Sequence, residues 1–194
     1  MMSGAAVTRY FAVLTILLMI GLVLTRLFIM KRSGVHAMHF GQTDKTDYFI
    51  PPVALFYFYL IFAAAFGWPV PTTRELFDSE GIRWLGVALC LAGVTLLAWS
   101  LASFEQSFRV GIDTERPDKL VTTGVFSLSR NPIYVGFALI LLGQFLIFSG
   151  WFRLAFLVAG YWLLHRQVLR EEEFLRERYG RDFEEYRQRL RRYV

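Results

Sequence analysis

One cysteine stands in a chain of 194 residues, Cys90, and it lies inside an apolar run. An intrachain disulfide, a CxxC redox pair and a thiolate metal cluster are therefore excluded. Histidine is nearly as scarce, with three residues. His36 and His39 are three apart in a polar segment, but no third ligand stands near them, so they read as solvated loop histidines and no metal site is expected. Charge is missing from long stretches: Trp84 to Phe104 carries none, and apart from Arg26 near one end the apolar runs have almost no ionisable side chain. A pore lined by intramembrane charge is thereby disfavoured. No internal repeat is evident, which argues against a transporter built from inverted halves. The first apolar stretch, Phe11 to Leu24, has no small-residue cleavage site behind it, so it is expected to be a retained helix and not a signal peptide.

What is present is apolar bulk. Hydrophobic residues make up 55% of the chain and the mean hydropathy is +0.42, which places it with integral membrane proteins. The net charge of +5, from 21 basic and 16 acidic residues, lies mostly between and after the apolar runs. That favours an anionic lipid surface as partner over nucleic acid. Spans are expected over residues 7–30, 48–68, 84–104 and 132–152, with a fifth from Leu154 to about Leu169. Ser149-Gly150 reads as the turn of a helical hairpin, and Gly136, Gly143 and Gly150 recur every seven residues, which marks a close helix contact assigned to the hairpin's second arm. Beyond it, Leu175, Tyr179, Phe183, Tyr186 and Leu190 recur at helical spacing and form one apolar face, expected to lie on the membrane or cap the bundle.

The resulting fold is all-α: five transmembrane helices, the last two as a hairpin, plus an amphipathic helix, and no Rossmann fold. Residues 1–104 form the first three spans and residues 105–194 a polar loop, the hairpin and the tail. Lys31, Arg32, Lys45, Arg109, Arg116, Lys119, Arg130 and the tail fall on one side, Arg9, Arg74, Arg83 and Arg153 on the other. This asymmetry places the N-terminus outside the cytoplasmic membrane and the tail in the cytosol.

Chemistry concentrates where the polar loop meets the fourth span. Asn131 followed by Pro132 reads as a helix start, with the Asn side chain as cap and Pro in the first turn. Arg130 beside it adds a guanidinium to unpaired backbone N–H groups, which describes a carboxylate or phosphate pocket. Glu171 and Glu172 stand where the last long helix leaves the bilayer, after His165, Arg166 and Gln167. Vicinal acids on a helix diverge by about 100°, so one can face the bundle while the other faces water.

These residues resemble a family. Leu120-Val121-Thr122-Thr123-Gly124-Val125-Phe126, Arg130-Asn131-Pro132-Ile133-Tyr134-Val135-Gly136, Glu171-Glu172-Glu173-Phe174-Leu175, Gly180, and Phe183 with Tyr186 are similar, in order and spacing, to the isoprenylcysteine carboxyl methyltransferases and the related membrane phospholipid methyltransferases. Asn131 replaces the family's histidine and Phe126 its tyrosine. The resemblance implies an S-adenosylmethionine-dependent methyltransferase acting on a prenylated or otherwise lipid-linked carboxylate. It implies a cofactor site lined by Leu120, Val121, Phe126, Asn131, Pro132, Ile133, Tyr134 and Glu171, with Asp118 and Lys119 at its entrance. Arg130, Gln167 and His165 are candidates for positioning the acceptor. A phospholipid amine methyltransferase is the alternative enzyme, which needs a base such as Glu172 or His165. A non-enzymatic membrane protein is the third reading.

Overall fold

The computed structural model describes residues 4–32, 50–68, 75–110 and 120–193. The described residues are helical without strands: α1 Gly4–Arg32, α2 Ile50–Phe66, α3 Glu80–Val110, a 3-10 turn Gly124–Ser127, α4 Pro132–Ile147, α5 Trp151–Tyr179 and α6 Arg181–Arg189. α1 and α3 contain stretches long and apolar enough to cross a membrane, Gly4–Arg26 and Glu80–Ser103. α2 and α4 are shorter, with 17 and 16 residues. At 1.5 Å per residue each reaches about 25 Å, less than a hydrocarbon core of about 30 Å.

α3 and α4 form the centre of the molecule, and glycine explains why. A Cβ on Gly86 would lie 2.7 Å from the Gly143 carbonyl oxygen, and one on Gly93 would lie 2.7 Å from that of Gly136. The two helices run antiparallel with a seven-residue repeat on each, so their backbones touch where any side chain would separate them. The expected pairing of the Gly136–Gly143 stripe with the hairpin's second arm is therefore corrected: its partner is α3. The expectation overlooked that α3 carries the complementary glycines at the same period.

α1 lies parallel to α3, with Gly4 against Glu80 and the Phe11 ring edge-on to Trp84. The buried Gln144 amide crosses from α4 to donate to the Ala12 carbonyl at 2.9 Å. Ala12, Ile16, Val87, Cys90 and Ile147 are core residues between these helices, and α2 joins them through Ile61. Arg9, Arg83 and Arg153 thus lie towards one end of the bundle and Arg130 towards the other.

Three expected boundaries move. α3 continues past Phe104 to Val110, so the connection to Arg130 is shorter than residues 105–130; charge alone does not stop a helix whose hydrogen bonds can continue into water. The fourth span ends at Ile147 and not at 152: Phe148 leaves helical geometry, and Ser149 Oγ donates to the Phe77 carbonyl at 2.5 Å, pinning the turn to the start of α3. The tail is not one continuous amphipathic helix. α5 runs unbroken to Tyr179, then Gly180 adopts φ +49°, where a side chain is strained, and α6 turns back. Phe183 and Tyr186 become buried while Leu175 and Tyr179 stay partly exposed, so α6 caps the bundle. His36, His39, Asp118 and Lys119 lie outside the described residues.

Candidate functional site

The start of α4, the middle of α5 and the segment after α6 meet at one end of the bundle. Tyr186 of α6 donates to the Phe126 carbonyl at 2.6 Å, and burial pushes its phenol up to about 12, so it stays a neutral donor. Phe126 and Val125 are buried beneath it, and Val125 N–H is held by Ser103 Oγ of α3 at 3.3 Å. The 3-10 turn is thereby fixed, and it delivers Ser129, Arg130 and Asn131 to the helix start. Leu120, Val121 and Ile133 are half-buried there and Pro132 fully buried.

Glu172 is the centre of the arrangement. Its side chain is 8% exposed and receives four groups: Arg192 Nε at 3.0 Å and Nη2 at 2.9 Å on Oε2, Asn131 Nδ2 at 3.1 Å on Oε1, and Arg130 Nη1 at 3.3 Å from Oε1. The expectation for Asn131 is corrected here. Its side chain makes no cap bond to α4; the amide donates to Glu172 and to the Arg192 carbonyl, at 3.1 Å each, while Pro132 holds the first turn. The pull of a buried carboxylate outweighs a backbone cap, which is worth about 1 kcal/mol. The anion pocket anticipated at Arg130 thus already contains one carboxylate, the protein's own Glu172.

Arg130 is nevertheless not satisfied by it. The Nη1 to Glu172 approach lacks hydrogen-bond geometry, and among the described residues neither the buried Nε nor the buried Nη1 has an acceptor. Burial draws this guanidinium below its ordinary value and Glu172 pulls it back up, while Arg192 and Arg187 add positive charge around it. Buried unpaired donors on a cation are costly, and an incoming anion would relieve them.

The neighbouring acid faces elsewhere, as the divergence of adjacent helix positions requires. Glu171 accepts from Tyr134 Oη at 2.5 Å and is also hydrogen-bonded by Gln167. Displaced water pushes its carboxyl above the usual carboxylate range, against the lowering effect of those two bonds. Tyr134, Gln167 and Glu171 form a polar cluster whose outer edge reaches the surface while its hydrogen-bonded interior is shielded. His165 lies on the Glu172 side of α5, with Nδ1 2.6 Å from Tyr193 Oη. The structure therefore divides the sequence candidates into two groups: Arg130, Asn131 and Glu172 inside, Tyr134, Gln167 and Glu171 outside, with His165 beside the tail. Sequence reading missed Arg192 and Tyr193. Their only signal was their basic and aromatic character at the end of a tail expected to lie on the membrane or cap the bundle.

The family model described as "Phospholipid methyltransferase" matches residues 82–182, just over half of the chain. The chain belongs to the phospholipid methyltransferase family. The resemblance read from the motifs is thus borne out, and the match reaches back through α3 to include the helix that bears Gly86 and Gly93. Among curated proteins, "Probable protein-S-isoprenylcysteine O-methyltransferase" of rice, Oryza sativa subsp. indica and subsp. japonica, is 29% identical over 119 residues, 60% of this chain and 62% of the relative. "Protein-S-isoprenylcysteine O-methyltransferase B" of Arabidopsis thaliana is 30% identical over 108 residues, 54% of this chain and 55% of the relative. The chain therefore spans less than two thirds of the length of these relatives. No solved structure matches.

The Asn131 geometry makes a prediction. Asn131→Ala removes the donor on Glu172 Oε1 and should lower stability by about 1–3 kcal/mol, the range for a bond to a buried charge. Asn131→His, which places the family residue there, should cost less because an imidazole N–H reaches the same carboxylate. Melting temperatures of both variants in detergent decide this; equal and negligible losses would show that the amide carries none of the network.

Proposed function

We propose that the protein is an S-adenosylmethionine-dependent methyltransferase embedded in the cytoplasmic membrane, with its site at the cytosolic surface, and that it methylates the carboxylate of a lipid-linked, prenylcysteine-like acceptor. Family membership and the names of the relatives support methyl transfer. The observation that carries the choice of acceptor is Arg130, whose Nε and Nη1 are buried with no acceptor among the described residues. These donors suit a carboxylate. S-Adenosylmethionine supplies a methyl group on a sulfonium, an electrophile strong enough for direct displacement by an ionised oxygen. The residues fit that cofactor: Tyr134, Gln167 and Glu171 form a polar cluster that reaches the surface, with a carboxylate that suits an ammonium or ribose hydroxyls, beside the apolar wall of Leu120, Val121, Pro132 and Ile133.

The protein's task is then alignment. Arg130 would hold the acceptor carboxylate, and the buried setting strips water from an oxygen whose charge is being lost. No general base is required because the nucleophile is already ionised. Amine methylation of a phospholipid would need one, and Glu172 is already held by Arg192 and Asn131, while His165 stands beside the tail with Nδ1 on Tyr193.

Calorimetry on purified protein in detergent should detect S-adenosylmethionine binding. Methyl transfer from labelled cofactor should then reach a prenylcysteine analogue and not phosphatidylethanolamine. Transfer to the amine lipid alone would reject the carboxylate reading, and absence of cofactor binding would reject the enzyme reading.

A further inference from the structure

We propose that Arg192 is a positioning residue: by gripping Glu172 Oε2 through Nε and Nη2, it keeps Glu172 from closing on Arg130 and so leaves Arg130 Nε and Nη1 free for an incoming anion. This rests on the reading of Arg130 as the acceptor's carboxylate anchor and goes beyond it by explaining why the anchor is available.

Glu172 Oε1 lies only 3.3 Å from Arg130 Nη1. At that separation a carboxylate and a guanidinium would ordinarily rotate into a forked pair with parallel N–H···O bonds. Here the fork does not form, because each Glu172 oxygen is directed elsewhere: Oε2 to Arg192 at 3.0 and 2.9 Å, Oε1 to Asn131 Nδ2 at 3.1 Å.

Arg192 can compete because its backbone is anchored on the α4 side. Its carbonyl accepts from Asn131 Nδ2 at 3.1 Å and from Ser129 Oγ at 3.4 Å, and the Arg191 carbonyl accepts from Arg130 N–H at 3.4 Å. Tyr193 Oη meets His165 of α5 at 2.6 Å. The segment 191–193 is therefore a strap across α4 and α5 that carries the Arg192 guanidinium to the carboxylate. Charge points the same way. Among the described residues Arg130 and Arg192 face one carboxylate, which leaves one positive charge uncancelled, and of these two guanidinium groups it is Arg130 that has buried donors without acceptors.

A purely structural ion cluster and a positioning device respond differently to a second substitution. In Arg192→Ala, Glu172 should swing onto Arg130 and occupy its donors. Binding of an N-acetylated prenylcysteine should weaken about tenfold or more, the size of one charge-assisted hydrogen bond. Binding of its neutral methyl ester should not change. Adding Glu172→Gln should restore binding of the acid to within about threefold of the unmodified protein, because a neutral amide no longer competes for the guanidinium. A structural role predicts instead that the double variant binds worse than either single one. Arg192→Gln, which keeps the stem and a donor, serves if Arg192→Ala does not fold. Independently of any ligand, the Arg130 Nε–H of isotope-labelled protein should exchange with solvent more slowly in Arg192→Ala, as Glu172 engages it. Unchanged binding of the acid in Arg192→Ala, failure of the double variant to recover, or unchanged Nε–H exchange would each overturn the proposal. If the unmodified protein binds neither the acid nor S-adenosylmethionine, the functional reading falls, and the exchange measurement still decides the role of Arg192.

Discussion

Arg130→Ala is expected to lower methyl transfer by about a hundredfold or more, with Arg130→Lys nearly as severe. Truncating one member of a buried, hydrogen-bonded charge pair costs about 2–5 kcal/mol, and about 2.7 kcal/mol on a barrier is already a hundredfold in rate. The side chain is 8% exposed, so water cannot replace the missing donors. Lysine would restore the charge but not the planar fork, since its ammonium is a compact point charge on a flexible stem. Stability should respond differently from activity: Glu172 keeps Arg192 and Asn131 as partners, so the melting temperature should fall less than the rate implies. Turnover, acceptor KM and melting temperature of both variants test this. Full activity in Arg130→Lys would mean that Arg130 is only a charge at the bilayer edge, and the site would have to be sought around Glu171.

Gly143→Ala should be the most damaging substitution among the helix glycines. The new Cβ would sit 2.5 Å from the Gly86 carbonyl oxygen, 2.6 Å from Cys90 Sγ and 2.9 Å from Cys90 N. Two of these atoms are backbone and cannot rotate away, so α3 and α4 must separate. Overpacking of this kind costs about 3 kcal/mol, or about 10 °C in melting temperature for a chain of this size. Because α4 also carries Arg130 and Asn131 at its start, the separation should reach the site and reduce turnover as well. Two controls bracket the effect. At Gly160 the added methyl meets only the end of the Leu141 side chain, which can move, and at Gly21 it meets nothing within 4 Å. Gly160→Ala should be close to neutral, and Gly21→Ala should gain up to about 1 kcal/mol from helix propensity. A Gly143→Ala protein that melts with the unmodified chain would show that α3 and α4 do not pack through their glycines.

The two expected results rest on different kinds of information. Residue order alone determined the helical class, because hydrophobic runs without charge have few alternatives to helix in an apolar setting. It determined the family, because Arg130-Asn131-Pro132, Glu171-Glu172 and Gly180 lie in one ordered pattern whose spacing is preserved along the chain. It also allowed Glu171 and Glu172 to face different surroundings, since adjacent helix positions diverge, without saying which acid faces inward. Tertiary structure decided the partners. The period of Gly136 and Gly143 announced a close contact, but the same period on Gly86 and Gly93 had to be brought alongside before α3 could be named. Asn131 looked like a cap from its place before Pro132, and a buried carboxylate 41 residues further on claimed its amide instead. Arg192 and Tyr193 carried no role in an amphipathic tail read as continuous, and only the reversal at Gly180 returns them to Glu172 and His165. Local spacing fixes which residues share a helix face; which distant group meets that face depends on how the chain turns back, and that is set by packing across the whole bundle.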